Sequence, residues 1–85
     1  MVEEKVILQN EEGLHARSAA RYLQQSVKFD SDIILVKDNK EYDGKSILSI
    51  LSMAAFKGTE ILIKCDGIDE KEALNSLVDF IENEL

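Results

Sequence analysis

One histidine serves the whole chain, and it stands in the run Glu12-Gly13-Leu14-His15-Ala16-Arg17-Ser18-Ala19-Ala20. Ala16, Ala19, Ala20, Leu23 and Val27 follow it at the spacing of one helix face. The pattern predicts a helix running from about His15 to about Val27, with the imidazole at or next to its first position and Arg17 in its first turn. At such an end the leading amides lack intrahelical partners and the peptide dipoles sum to a partial positive charge. A cationic ring is disfavoured there, so the neutral nucleophilic form is favoured, and an arriving anion finds free N–H donors and a guanidinium. A nucleophile beside an anion cradle points to phosphoryl transfer through a phosphohistidine. Position alone favours an exposed histidine near a cap with no chemical task, so the rest of the chain has to discriminate.

The elements that would hold this run can be traced in order. Val2 to Leu8 reads as a first strand and Gln9 to Gly13 as a polar turn into the helix. Asp32 to Lys37 is rich in β-branched residues, Asp38-Asn39-Lys40 supplies a tight reversal, and Glu41 to Asp43 returns as a short partner strand. Ser46 is placed to cap a second helix predicted from Ile47 to about Phe56, ended by Lys57-Gly58. Its apolar residues, Ile47, Leu48, Ile50, Leu51, Met53, Ala54 and Ala55, spread well beyond the ~100° stripe that a core face needs. Part of that arc is expected in solvent, although a short helix buried nearly all round would carry the same pattern. Thr59 to Cys65 alternates with Ile61, Ile63 and Cys65 inward. Asp69 with Glu72 resembles a capping pair ahead of a helix whose stripe is Ala73, Leu74, Leu77, Val78, Ile81 and Leu85. The order βαββαβα predicts an α+β two-layer sandwich, helices on one face of a mainly antiparallel four-stranded sheet.

Composition narrows the function. The 85 residues suit one domain spanning 1–85, and a net charge of −7 argues against direct nucleic-acid binding or attraction to an anionic membrane. No apolar run is long enough to span a bilayer, and the start does not read as a signal peptide. A single cysteine excludes an internal disulfide and fits a cytoplasmic protein. One histidine and one cysteine cannot assemble a usual zinc site, so no metal is expected. Cys65 reads as core, the acidic residues from Asp66 to Glu84 as a solvated helix face, and no glycine-rich nucleotide loop is present. No cofactor is required.

Gly13-Leu14-His15-Ala16-Arg17, followed about thirty residues later by Lys45-Ser46-Ile47, resembles the HPr family of histidine-containing phosphocarriers of the bacterial sugar phosphotransferase system. The resemblance covers nearly the whole chain and implies an HPr-like open-faced sandwich. It implies that His15 accepts a phosphoryl group on Nδ1 from phosphorylated Enzyme I and passes it to enzyme IIA, with Arg17 stabilising the phosphate. The chain would be a carrier in a relay more than a stand-alone enzyme. Ser46 corresponds to the regulatory serine modified by HPr kinase/phosphorylase. Ile47, Leu48 and Leu51, with Arg17 and Ala20 of the first helix, correspond to the surface that docks Enzyme I, enzyme IIA and a catabolite control repressor. A monomer is expected, because docking must be free and quick.

The chain departs from the family pattern at several positions. Ser18 stands where these proteins usually carry proline, Glu12 where they carry a small capping residue, and Ser49 and Ala54 where they carry glycine. A Glu12 carboxylate near His15 would favour imidazolium and oppose an incoming phosphate. Two other readings stay open. One is an HPr-like regulatory paralogue, in nitrogen-related phosphotransfer or as a catabolite co-repressor, although the co-repressor Crh lacks the active histidine. The other is a small α+β binding module without phosphochemistry.

Overall fold

Apolar alternation builds the sheet. In the computed structural model, which describes residues 1–85, the elements are β1 (Val2–Ile7), α1 (Ala16–Ser26), β2 (Asp32–Lys37), β3 (Lys40–Asp43), α2 (Ile47–Ser52), β4 (Glu60–Asp66) and α3 (Glu70–Asn83). The spatial strand order is β1-β4-β2-β3, and every pairing is antiparallel. Register sets Val6 opposite Ile61, Ile33 opposite Cys65 and Leu35 opposite Ile63, so the middle of one sheet face is apolar and buried, interrupted only at the β1 edge by exposed Glu4 opposite Ile63. Asp38 and Asn39 both take positive φ, as a two-residue hairpin turn requires, and Lys37 pairs with Lys40 across it. The three helices cover the apolar face, and α3 contributes Ala73, Leu74, Leu77, Val78, Phe80 and Ile81 to the core. Phe80, absent from the stripe expected for α3, meets Tyr22 of α1 edge to face with ring centroids 6.2 Å apart.

The structure corrects the expected face of α1. Its buried residues are Ser18, Ala19, Tyr22 and Ser26, whereas Ala16, Ala20 and Val27 are exposed and Leu23 is half-buried. At 3.6 residues per turn the helix is rotated by roughly a quarter turn from the face its apolar pattern favours. Small Ser18, Ala19 and Ser26 accept close packing while Tyr22 fills the space toward α3. Burial pushes the Tyr22 hydroxyl far above its ordinary pKa.

Two helix ends also differ from expectation. Helix α2 stops at Ser52, four residues before Phe56, because Ala54 adopts φ 50° and turns the chain out of the helix. A left-handed non-glycine residue costs on the order of 1 kcal/mol. The Lys37 ammonium donates to the Met53 carbonyl at 2.9 Å, satisfying one acceptor of that end. At the start of α3, Asp69 is the N-cap residue but makes no side-chain cap. Its carboxylate instead accepts from the amides of Asp30 and Ser31, both at 2.9 Å, and from the Ser31 hydroxyl. Three donors ahead of β2 outcompete the local amides, so the expected Asp69–Glu72 capping pair does not form.

Those bonds, the Ser31 hydroxyl foremost and then the Asp30 amide, hold the Asp69 carboxyl below the usual carboxylate range. A depressed folded-state pKa means that the unfolded chain binds the proton more tightly, so this contribution is present at neutral pH and lost as pH falls through the folded value. Asp69→Asn is expected to lower the thermal midpoint at pH 7. The gap to the native chain should close as both are acidified below the carboxylate range. Melting curves from pH 7 to pH 2 check this, and a gap independent of pH would count against it.

Candidate functional site

The loop from Asn10 to His15 is held by its own backbone. Gly13 has φ 61°, and a Cβ there would lie 2.3 Å from the Ala55 carbonyl oxygen and 2.6 Å from Phe56 Cα. Only glycine permits both the left-handed turn and that approach. The next amide, Leu14 N–H, donates to the Ala55 carbonyl at 2.9 Å, and the Leu14 side chain is buried. The Asn10 side-chain amide and the Ser18 hydroxyl donate to the Gly13 carbonyl at 2.8 and 2.9 Å. His15 N–H donates back to Ser18 Oγ at 3.0 Å. The start of α1 is thus tied to the segment that follows α2.

His15 is the N-cap residue, extended at φ −98°, ψ −175°, and its side chain is 37% exposed. Its Nδ1 accepts the Arg17 amide at 3.2 Å. In a neutral imidazole one nitrogen accepts and the other donates, so this bond assigns the proton to Nε2 and leaves the lone pair on Nδ1. Glu12 does approach the ring: its Oε2 lies 3.7 Å from Nε2, on the side away from Nδ1. Arg17 contributes its backbone amide to the histidine, while its exposed guanidinium makes no ion pair within the chain. No concave site in the surface is lined by His15 or Arg17; the ring is presented on an open helix tip.

Ser46 caps α2, its Oγ accepting the Ser49 amide at 3.3 Å, and it is half-exposed. Around it Lys45 Nζ donates to the Phe29 carbonyl at 2.6 Å, and Ser49 Oγ accepts the Asp43 amide at 2.8 Å. Helices α1 and α2 pack on each other. Ala20 is exposed on the first; on the second Leu48 is 77% exposed, Leu51 lies at the surface and Ile47 is half-buried against the core. The arc expected to exceed a core face therefore does reach solvent.

Two residues of this region escaped the sequence reading. Phe56, expected as the last residue of α2, lies exposed in the segment against Gly13. Ser18, read only as compatible with a helix, is a buried hydroxyl linking Gly13 to His15. A serine three residues after a cap residue was the available signal for the second; nothing local marked the first. The one thiol is withdrawn. Cys65 is buried in β4 as expected, and burial, then the Asp69 and Glu70 charges, push its thiol up to about 11.

The chain is similar to known proteins along nearly its whole length. The family model described as the PTS HPr component phosphorylation site matches residues 2–83. The chain is 40% identical over 85 residues to the HPr-like protein Crh of Bacillus subtilis, covering the whole of both. It is 37% identical over 81 residues to the phosphocarrier protein HPr of Neisseria meningitidis, covering 95% of this chain and 91% of that one. Among solved structures, HPr-C-His from Thermoanaerobacter tengcongensis superposes with a TM-score of 0.94 at 43% identity, covering 96% of this chain and 92% of that one. The crystal structure of Bacillus subtilis Crh, described as a swapped dimer, gives 0.79 at 40% identity, covering 100% and 98%.

Ser18→Ala removes the hydroxyl that joins the Gly13 carbonyl to the His15 amide. The expected loss is about 0.5–2 kcal/mol, the range for removing a helix cap. Urea unfolding checks it, as a lower midpoint at unchanged slope.

Proposed function

The chain belongs to the HPr family of phosphocarrier proteins, and on that basis we propose that it takes a phosphoryl group onto His15 from phosphorylated Enzyme I and hands it to enzyme IIA for sugar uptake. The observation that carries this reading is the Nδ1 lone pair on a half-exposed ring at the start of α1. Nδ1 attacks phosphorus, the N–P bond forms, and the bond from phosphorus to the donor breaks with its electron pair staying on the donor. The Arg17 amide, released from Nδ1, then becomes a donor for a phosphate oxygen, together with the other leading amides of α1. The unpaired Arg17 guanidinium supplies a mobile countercharge. A convex tip suits this task, because a deep pocket would hinder hand-over to the next protein.

In this reading Ala20, Ile47, Leu48 and Leu51 dock the partners. Ser46 is the regulatory position, modified by HPr kinase/phosphorylase and then read by a catabolite control repressor. Phosphorylation there adds about −1.5 to −2 charges beside Leu48 and Leu51. The carrier works as a monomer in the cytoplasm and needs no cofactor. A second reading, a regulatory HPr-like paralogue, is favoured by the 40% identity with Crh over the full length of both chains. The family resemblance weighs against its co-repressor form, since Crh lacks the active histidine that this chain retains at position 15.

Incubation with phosphoenolpyruvate and Enzyme I, read as an acid-labile mass increase, tests the carrier reading. The native chain is expected to load and His15→Ala to remain unmodified; loading of His15→Ala would refute the assignment. Ser46→Asp is expected to retain the native melting temperature but load more slowly. An unchanged rate would argue against charge at position 46 as the regulatory device.

A further inference from the structure

Two neighbouring carboxylates of the His15 loop do different things. Glu11 is engaged by Lys57 at 2.8 Å, charge against charge. Glu12 Oε2 lies 3.7 Å from His15 Nε2, while the Arg17 amide occupies Nδ1 at 3.2 Å. The ring is bracketed by a donor on the nitrogen that would carry phosphorus and a carboxylate on the other. The remaining charged group of this turn is the Arg17 guanidinium, and Phe56 and the paired Lys57 complete the segment packed against the loop.

We propose that Glu12 is a positioning residue that keeps a proton on Nε2 of His15 throughout a phosphoryl cycle and thereby makes the phosphohistidine a better donor. The proposal rests on the carrier reading above. On loading, the Nδ1 pair forms the N–P bond, the pair of the breaking bond leaves with the donor, and the ring becomes a cation bearing its proton on Nε2. On unloading, the N–P pair returns to Nδ1 as phosphorus passes to the acceptor or to water. The ring is then again neutral with its proton on Nε2, so no ring proton moves in either direction. A phosphorylated ring that had lost this proton would have to leave as imidazolate, a much poorer leaving group. An anionic carboxylate facing Nε2 opposes that loss. Glu12 thus acts chiefly on the lifetime of the loaded form, beyond the opposition to phosphate expected from its charge.

The test uses the full chain with Glu12→Gln, Glu12→Asp and the native residue, each loaded with phosphoramidate so that Enzyme I is not involved. Phosphate loss is followed across pH, and the ¹⁵N shift of Nε2 in the loaded protein reports its protonation. For Glu12→Gln the midpoint of both profiles is expected to move down by roughly 0.2–0.7 pH unit, the size for an exposed ion pair. Above the midpoint its loaded form then lives up to about fivefold longer. Glu12→Asp, which keeps the charge on a shorter arm, is expected to recover part of the shift. Superimposable profiles for all three chains would overturn the role of Glu12 while leaving the carrier reading intact. A native chain that takes up no phosphoryl group on His15 would overturn the carrier reading itself.

Discussion

The close approach of Gly13 to the Ala55–Phe56 backbone is the constraint on which the site depends. It joins the loop before α1 to the segment after α2, and the Leu14 amide secures the contact on the Ala55 carbonyl. Because the seam is backbone against backbone, it leaves little freedom in where α1 begins. The His15 ring inherits that precision through the Ser18 hydroxyl, which holds the His15 amide from one side and the Gly13 carbonyl from the other. An exposed side chain is thereby aimed by groups that are largely buried.

The same architecture explains an apparent waste of apolar surface. Helix α1 buries two serines and an alanine around Tyr22 and leaves Ala20 and Val27 outside, and α2 leaves Leu48 and Leu51 at the surface. Scattered exposed apolar residues need no explanation, but several on two adjacent helices fit the docking surface proposed for the carrier. The buried faces of α1 and α2 meanwhile give Ala19, Tyr22 and Ile50 to the core, beside the apolar sheet face and the α3 stripe. Each of the two helices thus buries one face and leaves apolar side chains on another at the surface.

The chemistry is similarly divided. Burial removes Cys65 and Tyr22 from nucleophilic competition, while His15 and Ser46 each stand at a helix start with a polar atom committed to a backbone amide. In the proposed carrier, the amide that orients the free side chain would turn to a phosphate oxygen once phosphate is attached.

How much of this was legible depends on the range over which each interaction acts. The strands, the Asp38–Asn39 reversal, the start of α1 near His15, the cap at Ser46 and the inward set Ile61, Ile63 and Cys65 follow from hydrophobic periodicity and cap chemistry, which operate within a few residues. The two motifs and their separation sufficed to point to the family. What the amino-acid order could not resolve were contests between local and distant partners. Helix α1 carried an apolar face and a small-residue face, and the shape of the surface awaiting it selected the second. Asp69 could cap its own helix or bind Asp30 and Ser31, nearly forty residues away, and the distant donors won. The end of α2 was set by a left-handed Ala54 that no propensity would choose, because the chain had to turn there to bring Ala55 against Gly13. Composition and spacing thus determined the elements and the chemistry expected of them; packing decided which faces met, where one helix stopped, and that a carboxylate would stand beside the far nitrogen of the histidine.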